Sequence, residues 1–145
     1  MVKKILVALD GSTASNNALN FALELADNLS ADVELLTIVP PVFLPSYSIY
    51  VLKSDAISEC AKNLEISFRG VLSKAQEEAR RRHPKTKVSI RFEKGEPSEK
   101  IVEVAQGGFD LIIIGSRGLG GRVSALGSVS SRVVDKSNCP VLIVK

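Results

Sequence analysis

Hydrophobic positions along this chain recur with two periods in alternation, short apolar runs followed by stripes at helical spacing. Lys4 to Leu9 reads as a first strand apolar on both faces. Asp10-Gly11-Ser12-Thr13 breaks it and offers turn and cap residues for the helix that follows. Ala18, Phe21, Ala22, Leu25, Ala26 and Leu29 then lie on one stripe of that helix. Asp32 to Val39 is a second strand, nearly continuous in Leu, Ile and Val, ended by Pro40-Pro41. Residues 42–54 hold Pro45, two tyrosines and no clear period, and read as a loop with a helical start.

From about Asp55, the positions Ile57, Ala61, Leu64, Phe68, Val71, Leu72, Ala75 and Ala79 mark a long amphipathic helix that stops before Pro84. Lys87 to Glu93 alternates strictly: Val88, Ile90 and Phe92 face one way, so this third strand has one wet face. Pro97 suits a helix start, with Ile101, Val102, Val104 and Ala105 inward until Gly107-Gly108. Leu111 to Ile114 is a short, wholly apolar run rich in β-branched residues, as expected of a central strand. A fourth helix carries Leu126, Val129 and Val133, and Pro140 introduces a last strand, Val141 to Val144.

Strands alternating with helices predict an α/β fold: a single open parallel five-stranded sheet with right-handed crossovers and helices on both faces, Rossmann-like in architecture. In an order of 2-1-3-4-5 the third strand would be central and apolar throughout. Here the third strand alternates and the second is the apolar one, which favours 3-2-1-4-5. The first and fourth strands are then neighbours whose connections leave toward opposite edges, and ligands bind at such a switch point.

At 145 residues the chain is the size of one domain, 1–145. A net charge of +3 is mild and does not argue for nucleic acid. The two cysteines, Cys60 and Cys139, form no Cys-x-x-Cys pair, so neither a disulfide framework nor a zinc site is indicated and a reducing cytosol fits. No leader and no membrane-span length of apolar residues is present, which predicts a soluble, cytoplasmic protein with no membrane partner.

The chemistry concentrates after the fourth strand. Gly115, Gly118, Gly120 and Gly121 follow within seven residues, so the backbone can turn sharply and bring its N–H groups close to an anion. Gly127-Ser128 lies at a helix start, where the first N–H groups and the dipole favour negative charge. Arg117 sits inside this grip, either on a phosphate or in water. Asp10, at the carboxyl end of the first strand, reaches the same crevice and either accepts from ribose hydroxyls, holds a metal, or serves as a turn and cap residue.

Other nucleotide motifs fail. No Gly-Lys-Ser/Thr occurs, so there is no Walker loop, and Gly118-x-Gly120 lacks the third glycine of a dinucleotide fingerprint. His83, the only histidine, stands beside Arg80, Arg81, Arg82 and Pro84 at a helix end, a surface setting rather than that of a base. Without another histidine there is no Ser-His-Asp triad. The residues offer binding rather than turnover; the remaining catalytic option is slow hydrolysis supported by Asp10 and a divalent metal.

The glycine stretch resembles the signature Gly-x2-Gly-x9-Gly-Ser/Thr of the universal stress protein family, through Gly115, Gly118, Gly127 and Ser128. Leu119 to Leu126 supply eight intervening residues where the family pattern has nine. The resemblance extends from Lys-Lys-Ile-Leu-Val-Ala-Leu-Asp-Gly-Ser at the start to Asn-Cys-Pro-Val-Leu-Ile-Val-Lys at the end. It implies the strand order 3-2-1-4-5 and, from the ATP-binding members, ATP as ligand with Mg²⁺ or Mn²⁺. By the same carry-over Asp10 holds the ribose, Ala8 and Ile38 line the adenine through their backbones, and Gly115, Gly118, Gly127, Ser128 and Val129 hold the phosphates. It also implies a homodimer through the C-terminal strand, and a family that includes nucleotide-free interaction modules.

Overall fold

The computed structural model describes residues 1–42, 54–118 and 126–145. All but the end residues of the expected loop at 42–54, and the glycines at 120 and 121, lie outside them. Five strands form one parallel sheet: β1 (Lys4–Ala8), β2 (Asp32–Val39), β3 (Val88–Lys94), β4 (Leu111–Gly115) and β5 (Val141–Val144). Their order is β3-β2-β1-β4-β5, as the alternation in β3 predicts. In register, Val7 stands between Leu35 of β2 and Ile113 of β4.

Four described helices flank the sheet: α1 (Thr13–Leu29), α2 (Ser54–Arg82), α3 (Pro97–Ala105) and α4 (Ser128–Lys136). On one face α1 and α2 pack on Ile5, Val7, Val33, Leu35 and Ile113. On the other, α3 and α4 cover Leu6, Leu36, Ile38, Ile112 and Ile114. The core strands are therefore buried on both sides, which is why they read as continuous apolar runs. Two polar residues of β2 are buried as well, each with a partner: Thr37 Oγ1 donates to Leu9 O at 3.0 Å, and Arg91 Nε donates to Glu34 Oε1 at 2.6 Å.

Several inward positions differ from the periodic reading. In α1 the buried face is Ser15, Ala18, Leu19, Ala22, Leu23 and Ala26, while Phe21 is 43% and Leu29 37% exposed. The three alanines belong to both candidate stripes, so periodicity alone does not decide which flank meets the sheet; Leu19 and Leu23 do. Ile90 is 43% exposed on β3, the edge strand of the sheet, where no further described strand pairs. Ala61 is exposed too, and in the first half of α2 Leu64 and Phe68 are only half-buried. With 29 residues α2 is about 43 Å long, whereas the seven-residue β3 spans about 23 Å, so one half of the helix overhangs the sheet. Leu126 precedes α4 and is exposed.

His83 is less superficial than its surroundings in sequence suggest. Its Nδ1 lies 2.6 Å from Asp27 Oδ2 and its side chain is 11% exposed. Thr86 Oγ1 donates to the other Asp27 oxygen, so Asp27 of α1 ties down the turn that follows α2. The hydrogen bonds from His83 and Thr86 hold the Asp27 carboxyl below its ordinary 3.8 against the opposing effect of burial. A depressed carboxylate adds stability that is complete above the unfolded value and is lost as pH falls through the folded one. We therefore expect the urea midpoint to drop as pH falls through 3.8 and below, and Asp27→Asn to flatten part of that drop. Parallel pH profiles for the two proteins would assign the tie no stabilising role.

Candidate functional site

The turn between β1 and α1 is built by local chemistry. Gly11 takes φ +84°, a left-handed conformation open to glycine, which lets the chain reverse into the helix. Ser12 is the N-cap, its Oγ accepting from Ser15 N at 3.2 Å. Ser12 N donates in turn to Asp10 Oδ1 at 2.9 Å. Asp10 is thus a turn residue through one oxygen. The other, Oδ2, faces the glycine loop closely enough that a Cβ built on Gly118 would stand 2.5 Å from it.

The exit of β4 is equally constrained. A Cβ on Gly115 would lie 2.7 Å from Ala14 C and 2.9 Å from Ala14 O, so α1 packs directly on bare backbone. Ser116 N donates to Val144 O at 2.7 Å, which continues the pairing with β5. Gly127 N donates to Ser116 O at 2.7 Å and draws the two ends of the glycine loop together. Gly127 is also the N-cap of α4 and gives that helix no side-chain capping bond. Its φ is −63°, and among the described residues a Cβ there would meet nothing nearer than 3.4 Å, so neither its backbone nor its described neighbours demand glycine. What its bareness provides is a helix start without a side-chain cap, the kind of N-terminus whose N–H groups and dipole favour an anion.

These elements enclose a cavity of about 630 Å³ at the carboxyl ends of β1 and β4, within the range of roughly 300–1,000 Å³ for small-molecule sites. All nine residues singled out in the sequence line it: Ala8, Asp10, Ile38, Gly115, Arg117, Gly118, Gly127, Ser128 and Val129. Asp10 and Arg117 are the ionisable side chains among the described lining residues, one of each sign. The rest of the wall escaped sequence reasoning. Phe68 of α2, and Pro97 and Ile101 of α3, carry core-type signals at remote positions, and only the crossovers bring them here. Ser130 is a buried hydroxyl in the first turn of α4, bonded to Ser116 O and Gly127 O. A serine in that place is the one signal that was available.

Fold and site together define a doubly wound α/β architecture with a cleft at its switch point. Residues 1–145 match the model of the universal stress protein family. The chain is 32% identical to universal stress protein YxiE of Bacillus subtilis, with both chains covered in full. Among solved structures it is similar to the universal stress protein UspA from Lactobacillus plantarum, with TM-score 0.85 at 22% identity over 99% of this chain and 98% of that one. A universal stress protein solved in complex with cAMP gives TM-score 0.71 at 25% identity, covering 99% and 97%. The chain therefore belongs to the universal stress protein family.

Among the described residues, no helix is long and apolar enough to cross a membrane, and no cluster of three or more His, Cys, Asp or Glu is placed to hold a metal.

Proposed function

We propose that this chain is an ATP-binding universal stress protein, a cytoplasmic module whose regulatory state depends on bound nucleotide. The observation that carries this reading is the convergence of all nine residues on one cleft with two chemically distinct ends. Leu36, Ile38, Ile101 and Ile114 make an apolar pocket suited to a purine. The Asp10 carboxylate lines the cleft beside Gly118, where it suits ribose hydroxyls, and Gly118, Ser128 and the start of α4 suit phosphates. The relative solved with cAMP supports an adenine nucleotide as the class of ligand.

A Mg²⁺ or Mn²⁺ ion would neutralise phosphate charge beside Asp10. The described residues offer it that single carboxylate, so phosphate oxygens and water would complete its shell, the usual arrangement for Mg²⁺ on a nucleotide. Calorimetry with millimolar ATP and Mg²⁺ is expected to give saturable heat and a raised melting temperature. No heat and no thermal shift would sink the proposal. The glycine spacing, one residue short, favours a second reading, a nucleotide-free interaction module; adenine nucleotide carried through purification and identified by mass spectrometry would exclude it. Slow hydrolysis would appear as phosphate release that disappears in Asp10→Ala.

We also propose a homodimer through β5. This strand is the sheet edge opposite β3, and Val141 to Val144 are all half-buried apolar residues with no charge among them. An apolar edge of that kind invites pairing. Light scattering at micromolar concentration is expected to report twice the chain mass of 15.6 kDa, and a monomer mass throughout would count against it.

A further inference from the structure

The glycine loop is gripped at its base by hydroxyls from two helix starts. Ser130 Oγ, on a residue 2% exposed, lies 3.0 Å from Ser116 O and 3.0 Å from Gly127 O, so its single proton is shared between carbonyls on the two sides of the loop. Gly127 N–H donates to the same Ser116 O at 2.7 Å. The next carbonyl along, Arg117 O, faces Ser12 Oγ at 3.5 Å, from the N-cap of α1. Two successive peptide planes at the exit of β4 are therefore oriented from outside the loop. In a trans peptide the C=O and N–H point in opposite directions. Holding Ser116 O toward α4 turns the Arg117 N–H away from it, and holding Arg117 O toward α1 turns the Gly118 N–H away from that helix.

We propose that Ser130 is a positioning residue for the phosphate end of the cleft: it holds the exit of β4 and the N-cap of α4 in one geometry, so that Gly118 and the start of α4 stand in a fixed relation when a phosphate arrives. The inference rests on the nucleotide reading above and goes beyond it by assigning Ser130 to one part of the ligand. An alanine at this helical position would lack the hydroxyl that spans both carbonyls. A serine that merely supported the fold would affect all ligands alike, whereas a positioning role acts only on those bearing phosphates.

The test compares ATP and adenosine by calorimetry, in Mg²⁺, on the wild type and Ser130→Ala, alongside amide hydrogen exchange of both proteins. The expected result is about a three- to tenfold loss of ATP affinity with adenosine affinity unchanged. Gly127 N–H should exchange faster in the variant while Leu6 N–H in β1 keeps its protection, which also reports that the domain is folded. Unchanged ATP affinity, an equal loss for both ligands, or unchanged Gly127 exchange would each overturn the proposal. A wild type that binds neither ligand would fail the nucleotide reading instead, and the exchange at Gly127 would then decide whether Ser130 positions the loop.

Discussion

Gly115→Ala is expected to lower the stability of the domain by roughly 1–3 kcal/mol, although it adds one methyl group. That group would stand 2.7 Å from Ala14 C and 2.9 Å from Ala14 O and Cβ. Backbone atoms in the first turn of a helix cannot rotate aside, so α1 would have to move off the end of β4. The same turn carries the Ser12 cap and the Asp10 hydrogen bond, so the cleft would distort along with the fold. Gly70→Ala is the control. Gly70 lies within α2 with nothing within 4 Å of an added Cβ, and there alanine should stabilise by about 0.5–1 kcal/mol. Urea titrations of the two variants should thus move in opposite directions. A Gly115→Ala protein with the wild-type midpoint would show that α1 yields at no cost and that the close approach positions nothing.

Gly118→Val is expected to weaken ATP binding by at least ten- to a hundredfold, the equivalent of losing one hydrogen bond to a charged group, while leaving the midpoint nearly unchanged. The neighbour that a Cβ would strike is not backbone but the end of the Asp10 side chain, at 2.5 Å. A carboxylate can rotate away, and Gly118 is exposed, so the fold can absorb the change. The cleft cannot: the substitution displaces the carboxylate proposed for the ribose and blocks the backbone proposed for the phosphates. Gly127→Ala should be milder, because its Cβ would keep 3.4 Å or more from every described neighbour. If Gly118→Val bound ATP like the wild type, the ligand would lie elsewhere in the cavity and the assignment of Asp10 and Gly118 would be wrong.

Much of the site was legible because its signals are local. Glycines at 115 and 118 and Gly127-Ser128 announce bare backbone and a helix start within a single stretch of chain, and Asp10 follows directly from the end of an apolar run. That the turn role of Asp10 leaves its carboxylate beside Gly118 was not legible. Turn residue and ligand group stood as alternatives in the sequence, and the structure lets one carboxylate serve the turn through Oδ1 while Oδ2 faces Gly118. The adenine nucleotide was expected from a family pattern, whose one-residue departure falls on residues outside those described.

The sequence by itself determined the kind of each described element and the order of the strands, since periods of two and 3.6 and the points where Gly and Pro interrupt them are one-dimensional properties. A half-wet third strand belongs at an edge, and β3 is at one. Only the tertiary structure decided which flank of α1 is buried, because Ala18, Ala22 and Ala26 are small enough to serve either stripe and the sheet selects Leu19 and Leu23 over Phe21. It alone brought Phe68, Pro97 and Ile101 to the cleft beside Ala8 and Gly115. Such walls depend on where right-handed crossovers return each helix to the sheet, a property of the packed chain that no local window of residues contains.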